Sequence, residues 1–227
     1  MIFNKVIVAL DYEDLSKTLK LVKTLKKEVY AFKIGYQFFF RHGISGYKKI
    51  YSICPKIFLD LKLHDIPNTV KNGIKSLNKL KPLLTTVHIS GGNAMMQSTQ
   101  TKNKKTMVLG VSILTSMNST QTKKYYNQSN VKTLVKKFAR EAKRSGLDGV
   151  VCSPHEIKFI RKEVGKNFII VTPGIRMGGE IKKDDQKRVS TPRKAIEMGA
   201  NFLVIGRPIT ESKDPIKILK EINKTIS

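Results

Sequence analysis

The chain has 227 residues, a length that fits one domain with a sizeable core, and we expect residues 1–227 to form a single domain. Hydrophobic residues make up 40% of it, and no apolar run approaches the roughly 18 residues that a membrane span requires. The lack of such a run predicts no membrane association, and the first residues run directly into a strand-like stretch, which predicts no signal peptide. The formal net charge is +26, from 43 basic and 17 acidic residues.

The positive charge is carried mainly by lysine and is spread along the whole chain, with only eight arginines. A nucleic-acid interface would favour arginine, aromatic platforms and a clustered stripe. We therefore interpret the charge as a solvated basic surface that helps to attract an anionic substrate, with polyanion binding as the alternative. Cys54 and Cys152 are isolated and lack metal-ligand spacing, so they predict reduced core thiols in a cytoplasmic protein.

Short β-branched runs recur along the chain, and the segments between them have helical patterns. In the first of these segments, Leu15, Leu19, Val22 and Leu25 lie on one stripe. Alternating strands and helices predict a parallel sheet, and eight units favour an α/β fold of the (β/α)8 TIM barrel type. An open, doubly wound sheet is the alternative, because periodicity does not show closure. The predicted strands are 6–10, 31–34, 57–61, 86–89, 107–113, 149–152, 168–171 and 202–205.

The run of residues 60–69 is the most informative segment, and it continues the third strand from its apolar start at 57–59. Side chains alternate along a strand, so Asp60 and Lys62 share one face. Opposite charges on an inner face are costly to bury unless they pair or take part in chemistry. Asp65 adds a second carboxylate just past the strand end. A structural ion pair and a reactive site both remain open at this point.

Polar residues follow almost every predicted strand, as Asp11, Lys33, Asp60, Thr115 and Arg207 illustrate. In barrel enzymes the functional residues lie at the carboxyl ends of the strands, so these side chains should share one rim. Two connections are longer than the rest, a polar one at 116–121 and another at 174–186, and both are surface loops or lids.

Six motifs occur in the order in which the orotidine 5′-phosphate decarboxylase family has them, and the chain closely resembles that family in its bacterial form. The motifs are Val-Ala-Leu-Asp (8–11), Asp-Leu-Lys-Leu-His-Asp-Ile-Pro-Asn-Thr (60–69), Val-His-Ile-Ser-Gly-Gly (87–92), Leu-Thr-Ser-Met (114–117), Thr-Pro-Gly-Ile-Arg (172–176) and Ile-Gly-Arg-Pro (205–208). The resemblance implies conversion of orotidine 5′-monophosphate (OMP) to uridine 5′-monophosphate (UMP) without a cofactor or a metal.

The resemblance also implies which residues are catalytic. Lys33, Asp60, Lys62 and Asp65 would form an array of alternating charges, with Lys62 as the proton donor. Asp60 would lie beside the substrate carboxylate, either repelling it or holding Lys62 in place. Asp65 would come from the partner subunit of a homodimer whose active sites are shared.

The remaining expected contacts concern substrate binding. Asp11 and Lys33 suit the ribose hydroxyls, joined by Thr69 of the partner, and Thr115 lies where the family contacts the pyrimidine. Arg207 suits the phosphate, together with the Gly206 amide, Arg176 and Gln186. The resemblance extends substrate binding to the other members of the 60–69 run, which are Leu61, Leu63, His64, Ile66, Pro67 and Asn68.

A rival function comes from the sugar-phosphate members of the same superfamily, such as 3-keto-L-gulonate 6-phosphate decarboxylase or hexulose-phosphate synthase. Those enzymes share the Asp-x-Lys-x-x-Asp pattern but stabilise an enediolate with Mg²⁺. The segment 66–69 and the Thr115-Ser116 pair favour the pyrimidine enzyme. We interpret His64 and His88 as hydrogen-bonding rim residues rather than proton carriers.

Overall fold

A computed structural model describes residues 4–101, 105–176 and 190–226 of the chain. Eight parallel strands pair in sequence order, and β1 also pairs with β8, so the sheet is a closed barrel. This confirms the predicted (β/α)8 fold and excludes the open sheet. The strands are β1 (Val6–Ala9), β2 (Ala31–Ile34), β3 (Ile57–Leu63), β4 (Leu84–His88), β5 (Met107–Val111), β6 (Gly149–Val151), β7 (Ile169–Thr172) and β8 (Phe202–Ile205).

Helices follow the strands and pack outside the barrel. Short 3₁₀ helices at Ile89–Gly91 and Pro154–Glu156 precede two of them. The described helices are α1 (Leu15–Leu25), α2 (Tyr36–Ile53), α3 (Pro67–Asn78), α4 (Gly92–Ser98), α5 (Ser119–Tyr126), α6 (Val131–Arg144), α7 (Ile157–Val164), α8 (Pro192–Glu197), α9 (Arg207–Thr210) and α10 (Pro215–Ile226). None of these helices is both long enough and apolar enough to cross a bilayer.

Several strand ends differ from the sequence prediction. Strand β4 begins two residues early, because Leu84 and Thr85 still pair with β3. Thr85 is accommodated there because its hydroxyl donates to the Leu59 carbonyl at 2.8 Å. Strand β5 ends at Val111 rather than at residue 113, because its partner β6 ends at the opposite residue, Val151.

The polar connection after β5 is partly helical, where the sequence had suggested a loop over 116–121. Helix α5 begins at Ser119 because Asn118 and Gln121 form a capping box. The Asn118 side chain accepts from the Gln121 amide at 3.0 Å, and the Gln121 side chain accepts from the Asn118 amide at 3.1 Å. These bonds satisfy two of the amides that a helix start leaves unpaired.

Within residues 4–101, 105–176 and 190–226, two apolar clusters make up the core. The larger one lies between strands and helices and includes Val22 and Leu25 of α1, with Leu15 and Leu19 packed at its edge, as the predicted stripe requires. The smaller one fills the barrel itself with Ile7, Ala9, Ala31, Phe58, Leu84, Leu109, Val171 and Val204.

The inner cluster shows which residues point into the barrel at the carboxyl ends of the strands. Side chains alternate along a strand, so positions two residues beyond the inner cluster stay on the inner side. Asp11 follows Ala9 in this way, Lys33 follows Ala31, and Asp60 follows Phe58. The polar end of the barrel is therefore a direct continuation of its apolar interior.

Candidate active site

A cavity of about 320 Å³ lies where the strands end at their carboxyl side. This volume is within the range of small-molecule sites. Among the described residues, its charged lining consists of Asp11, Lys33, Asp60, Lys62, Arg176 and Arg207. Its apolar lining includes Val111, Ile113, Leu114, Val151, Pro173 and Val204. A lining that combines charged groups with apolar side chains suits an anionic molecule with a flat, weakly polar ring.

Asp60 is the buried centre of the charged lining and is 8% exposed. Its Oδ2 accepts from Lys62 Nζ at 2.9 Å, and its Oδ1 accepts from the Thr86 hydroxyl at 2.8 Å. Burial alone would raise the pKa of Asp60, but the charges of Lys33 and Lys62 and these two hydrogen bonds more than offset it and lower the pKa. The carboxylate is therefore ionised at neutral pH.

Four side chains of alternating sign, Asp11, Lys33, Asp60 and Lys62, stand next to one another and are called here the charge row. Lys33 Nζ lies 3.4 Å from Asp11 Oδ1 and 3.9 Å from Asp60 Oδ2. Gly35 leaves room for it, because a Cβ at that residue would come within 2.9 Å of Lys33 Nζ. The charge row thus extends across three strand ends, β1 to β3, along one side of the cavity.

The backbone of Lys62 is unusual for a strand residue. Its φ is +46°, in the left-handed region, which costs a side-chain-bearing residue roughly 1–2 kcal/mol. The pairing of β3 with β4 also shifts register between Leu59 and Leu63. Such strained positions persist only where surrounding contacts hold them, and they cluster at functional sites.

The cavity lining also carries two guanidinium groups, those of the half-buried Arg176 after β7 and the exposed Arg207 after β8. Burial lowers the pKa of Arg176, and the like charge of Arg207 lowers it further. Gly206, which precedes helix α9, lies beside them in the cavity lining. Two adjacent cations with a glycine amide form a suitable place for a phosphate.

The structure brings only part of the predicted set together. Thr115 joins the charge row, Arg176, Gly206 and Arg207 around the cavity. Leu61 and Leu63 instead pack against the outer apolar core. Gln186 lies outside the described residues.

The segment from His64 to Thr69 is exposed and does not line the cavity of its own chain. Asp65 Oδ1 accepts from the Ile66 amide at 2.7 Å, and Pro67, Asn68 and Thr69 form the first turn of α3. Substrate contacts from this segment stay a prediction that requires a second subunit.

Two residues that contact the charge row, Thr86 and Tyr36, were not predicted from the sequence. Thr86 lies on the inner face of β4, and its position two residues after Leu84 is a signal that could have found it. Tyr36 is the first residue of α2, and its ring centroid lies 5.5 Å from Lys62 Nζ. No sequence pattern indicates this second contact, since it depends on how α2 meets β3.

His88 also faces this region, at the end of β4. Its ring centroid lies 5.3 Å from that of His64. Burial lowers the pKa of His88, and the neighbouring His64 and Lys62 lower it further. A neutral imidazole at physiological pH fits the interpretation of a rim residue. Within the described ranges, no group of three or more His, Cys, Asp or Glu side chains could hold a metal ion.

Comparisons with known proteins agree on one family. The family model described as "Orotidine 5'-phosphate decarboxylase / HUMPS family" matches residues 4–222. A protein named "Orotidine 5'-phosphate decarboxylase" from Wolbachia sp. subsp. Brugia malayi is 42% identical over 226 residues, which cover 99% of this chain and 100% of that protein. One from Coxiella burnetii is 42% identical over 228 residues, covering 98% and 96% respectively. A crystal structure of orotidine 5'-phosphate decarboxylase from Lactobacillus acidophilus matches with a TM-score of 0.84 and 36% identity over 99% of both chains.

Proposed function

Because the chain belongs to the orotidine 5′-phosphate decarboxylase / HUMPS family, we propose that it decarboxylates OMP to UMP in pyrimidine biosynthesis, as a cytoplasmic enzyme. The observation that carries the proposal is the charge row, which puts a buried carboxylate and an ammonium 2.9 Å apart in a substrate-sized cavity. Such a pair suits a reaction in which charge moves between a carboxylate and a carbon atom.

The substrate lies across the cavity with its phosphate at Arg176, Arg207 and the Gly206 amide, where Gln186 would join them. Its ribose hydroxyls meet Asp11 and Lys33, which supply an acceptor and a donor. The pyrimidine then lies between Lys62 on one side and the apolar wall with Thr115 on the other. Strand order supports this orientation, because the two arginines follow β7 and β8, on the other side of β1 from Lys62 on β3.

The chemical step breaks the bond between C6 and the carboxyl carbon, and the electron pair stays on C6 while CO₂ leaves. The ring delocalises this pair poorly, so a fixed cation at C6 stabilises the transition state. Lys62 supplies that cation and then donates a proton to C6, which gives UMP. Solvent returns a proton to Lys62, so the reaction consumes one proton and needs no cofactor.

Asp60 has two roles open to it in this reaction. It holds the Lys62 side chain in place, and its own charge lies where the substrate carboxylate arrives. Its low pKa means that it stays ionised in the free enzyme. The first role stabilises the transition state, and the second raises the energy of the bound substrate, which is a contested mechanism.

The enzyme functions as a homodimer in this proposal, and Asp65 and Thr69 of one subunit complete the site of the other. Both residues are exposed and lie outside the cavity of their own chain. Large apolar side chains are exposed nearby on α2 and after β3, which supports burial against a second copy. They are Tyr36, Phe40, Ile44 and Ile66.

The test of the proposed function is the loss of OMP absorbance with the purified protein, with UMP identified as the product. The host strain should lack its own decarboxylase, and the Lys62→Ala variant serves as the control. Adding Mg²⁺ or a chelator should leave the rate unchanged, whereas an enzyme of the Mg²⁺-dependent sugar-phosphate class would respond to both. Absence of UMP in the wild-type reaction would contradict the proposal.

A further inference from the structure

Strand β3 loses its regular backbone pairing around Lys62, the proposed proton donor. Pairing with β2 is last recorded at Leu59, opposite Ile34. Pairing with β4 is interrupted between Leu59 and Leu63. The peptide between Leu61 and Lys62 therefore lies in a gap of the ladder, and its two polar groups need other partners.

Two side chains from neighbouring elements supply these partners. The Tyr36 hydroxyl donates to the Leu61 carbonyl at 3.2 Å, and the Lys62 amide donates to Thr86 Oγ1 at 2.9 Å. The carbonyl and the amide are the two ends of one peptide unit. That unit is consequently fixed from both sides, by α2 and by β4.

The same two side chains also contact the charged groups of the site. Thr86 donates its hydroxyl proton to Asp60 Oδ1 at 2.8 Å while it accepts from the Lys62 amide. The Tyr36 ring lies 5.5 Å from Lys62 Nζ, within the range of a cation–π contact. Burial, followed by the charge of Asp60, raises the pKa of Tyr36, so its phenol keeps the proton that it donates.

We propose that Tyr36 and Thr86 are positioning residues that hold the Leu61–Lys62 peptide and thereby fix the Lys62 ammonium in the cavity. This inference rests on the proposed function and adds two residues to it. The left-handed Lys62 conformation needs such support, because an unheld residue relaxes to the ordinary extended region. Relaxation would move Nζ away from the place where C6 reacts, and small displacements of a reacting group lower the rate strongly.

Packing within one subunit does not account for Tyr36. Its side chain is 45% exposed, and its ring stacks on Phe40, which is 75% exposed. Tyr47 on the same helix has the opposite character, since it is 1% exposed and its hydroxyl donates to the Leu80 carbonyl at 3.0 Å. Tyr47 therefore provides a matched control, with the same type of hydrogen bond outside the site.

The first experiment compares Tyr36→Phe with Tyr47→Phe, using OMP turnover, UMP binding and thermal unfolding. Tyr36→Phe should lower kcat roughly 2- to 10-fold, the size of one hydrogen bond, while the UMP Kd and the Tm stay unchanged. Tyr47→Phe should lower the Tm and leave kcat unchanged. Equal kcat in wild type and Tyr36→Phe, or equal losses in both variants, would overturn the role of Tyr36.

The second experiment uses Thr86→Val, which removes both hydrogen bonds, and Thr86→Ser, which keeps the hydroxyl. Thr86→Val should lower kcat roughly 10- to 100-fold, and Thr86→Ser should restore most of it. Thr85→Val is the matched control. Thr85 is the neighbour of Thr86 on β4, and its hydroxyl donates to the Leu59 carbonyl rather than to a group of the site. Equal kcat for Thr86→Val and Thr85→Val would overturn the role of Thr86.

The two proposals fail in different ways. A wild-type protein that does not turn over OMP overturns the proposed function and this inference with it. A wild-type protein that does so, with kcat unaffected by Tyr36→Phe and Thr86→Val, overturns only the inference.

Discussion

Lys62 and Asp60 are two residues apart on one strand, and their side chains form a direct ion pair, Nζ to Oδ2, at 2.9 Å. Both side chains are mainly buried, at 27% and 11% exposed. Removing one partner of such a pair leaves a buried charge uncompensated, which is a large cost. The pair can therefore be tested by replacing either Lys62 or Asp60.

Replacing Lys62 with Ala should abolish turnover while the protein still folds and binds UMP. The lysine supplies the positive charge and the proton at the reacting carbon, so the loss falls on the chemical step. Turnover and UMP binding by calorimetry are the measurements. Lys220→Ala, on the exposed face of α10, is the matched control and should behave as wild type. Substantial turnover by Lys62→Ala in a host-free preparation would remove Lys62 from its central role.

Replacing Asp60 with Asn should change how stability depends on pH. The folded-state pKa of Asp60 lies below its ordinary value of 3.8, so its ionisation stabilises the fold above that pH and the contribution disappears as pH falls through the lowered pKa. The difference in unfolding free energy between wild type and Asp60→Asn should be largest at neutral pH and narrow below about pH 4. Urea unfolding over this range measures it.

The control for this experiment is Asp214→Asn. Asp214 is exposed and accepts from the Lys217 amide at the start of α10, a bond that asparagine also accepts. The difference in unfolding free energy between wild type and Asp214→Asn should be small, because this hydrogen bond is kept. A difference in unfolding free energy between wild type and Asp60→Asn that stays constant with pH would contradict the predicted ionisation of Asp60.

The fold was largely predictable because strand and helix periods are local properties of the sequence. Alternation along β3 correctly put Asp60 and Lys62 on the cavity side, and the apolar stripe of α1 correctly identified its buried face. Closure of the barrel was not predictable from periods, since it depends on β1 meeting β8. The helical turn after Asn118 was missed because a capping box resembles a polar loop in composition.

The site was predictable where a residue follows a strand directly and less so elsewhere. Asp11, Lys33 and Arg207 line the cavity as expected from strand ends. Tyr36 is the first residue of α2, and the contact of its ring with the Lys62 ammonium depends on the irregular backbone of β3. A positive φ at a lysine has no sequence signature, because lysine has no preference for that region.

Replacing Arg207 with Ala should weaken use of the phosphorylated substrate, with a higher KM and a kcat/KM lower by roughly 10- to 1000-fold. The loss reflects a charge-assisted contact to phosphate. The unphosphorylated nucleoside should be almost indifferent to the change. Arg193→Ala is the control, because Arg193 lies on the surface of α8, 75% exposed, and pairs only with Glu197 in the described hydrogen bonds and ion pairs. Equal losses for both substrates would make Arg207 structural.

Replacing Arg161 with Lys should lower stability without changing kcat. Arg161 lies at the end of the barrel opposite the cavity, and its guanidinium donates to the Phe168 and Gly199 carbonyls at 2.7 Å each. It also donates to Asn201 Oδ1 at 2.7 Å, a geometry that lysine does not reproduce. We expect a loss of roughly 1–3 kcal/mol by urea unfolding. Arg144→Lys, at an exposed surface pair, should change stability by less than about 0.5 kcal/mol.

Subunit mixing tests the shared active site. Lys62→Ala and Asp65→Ala proteins, each nearly inactive alone, are mixed and allowed to exchange subunits. If Asp65 acts in the partner's site, one site of each heterodimer receives both changes and the other receives neither. Random exchange makes about half of the dimers heterodimers, so roughly a quarter of wild-type activity should return.

The control mixture pairs Lys62→Ala with Asp60→Asn, whose side chains contact each other within one chain. Each site of that heterodimer keeps one change, so no activity should return. This contrast separates true complementation from stabilisation by mixing, because both mixtures undergo the same exchange. Activity that stays at the parental level in the Lys62→Ala and Asp65→Ala mixture, with exchange verified by mass, would mean that Asp65 acts within its own chain or not at all. The exposed apolar side chains on α2 and after β3 would then need another explanation than a site-sharing dimer.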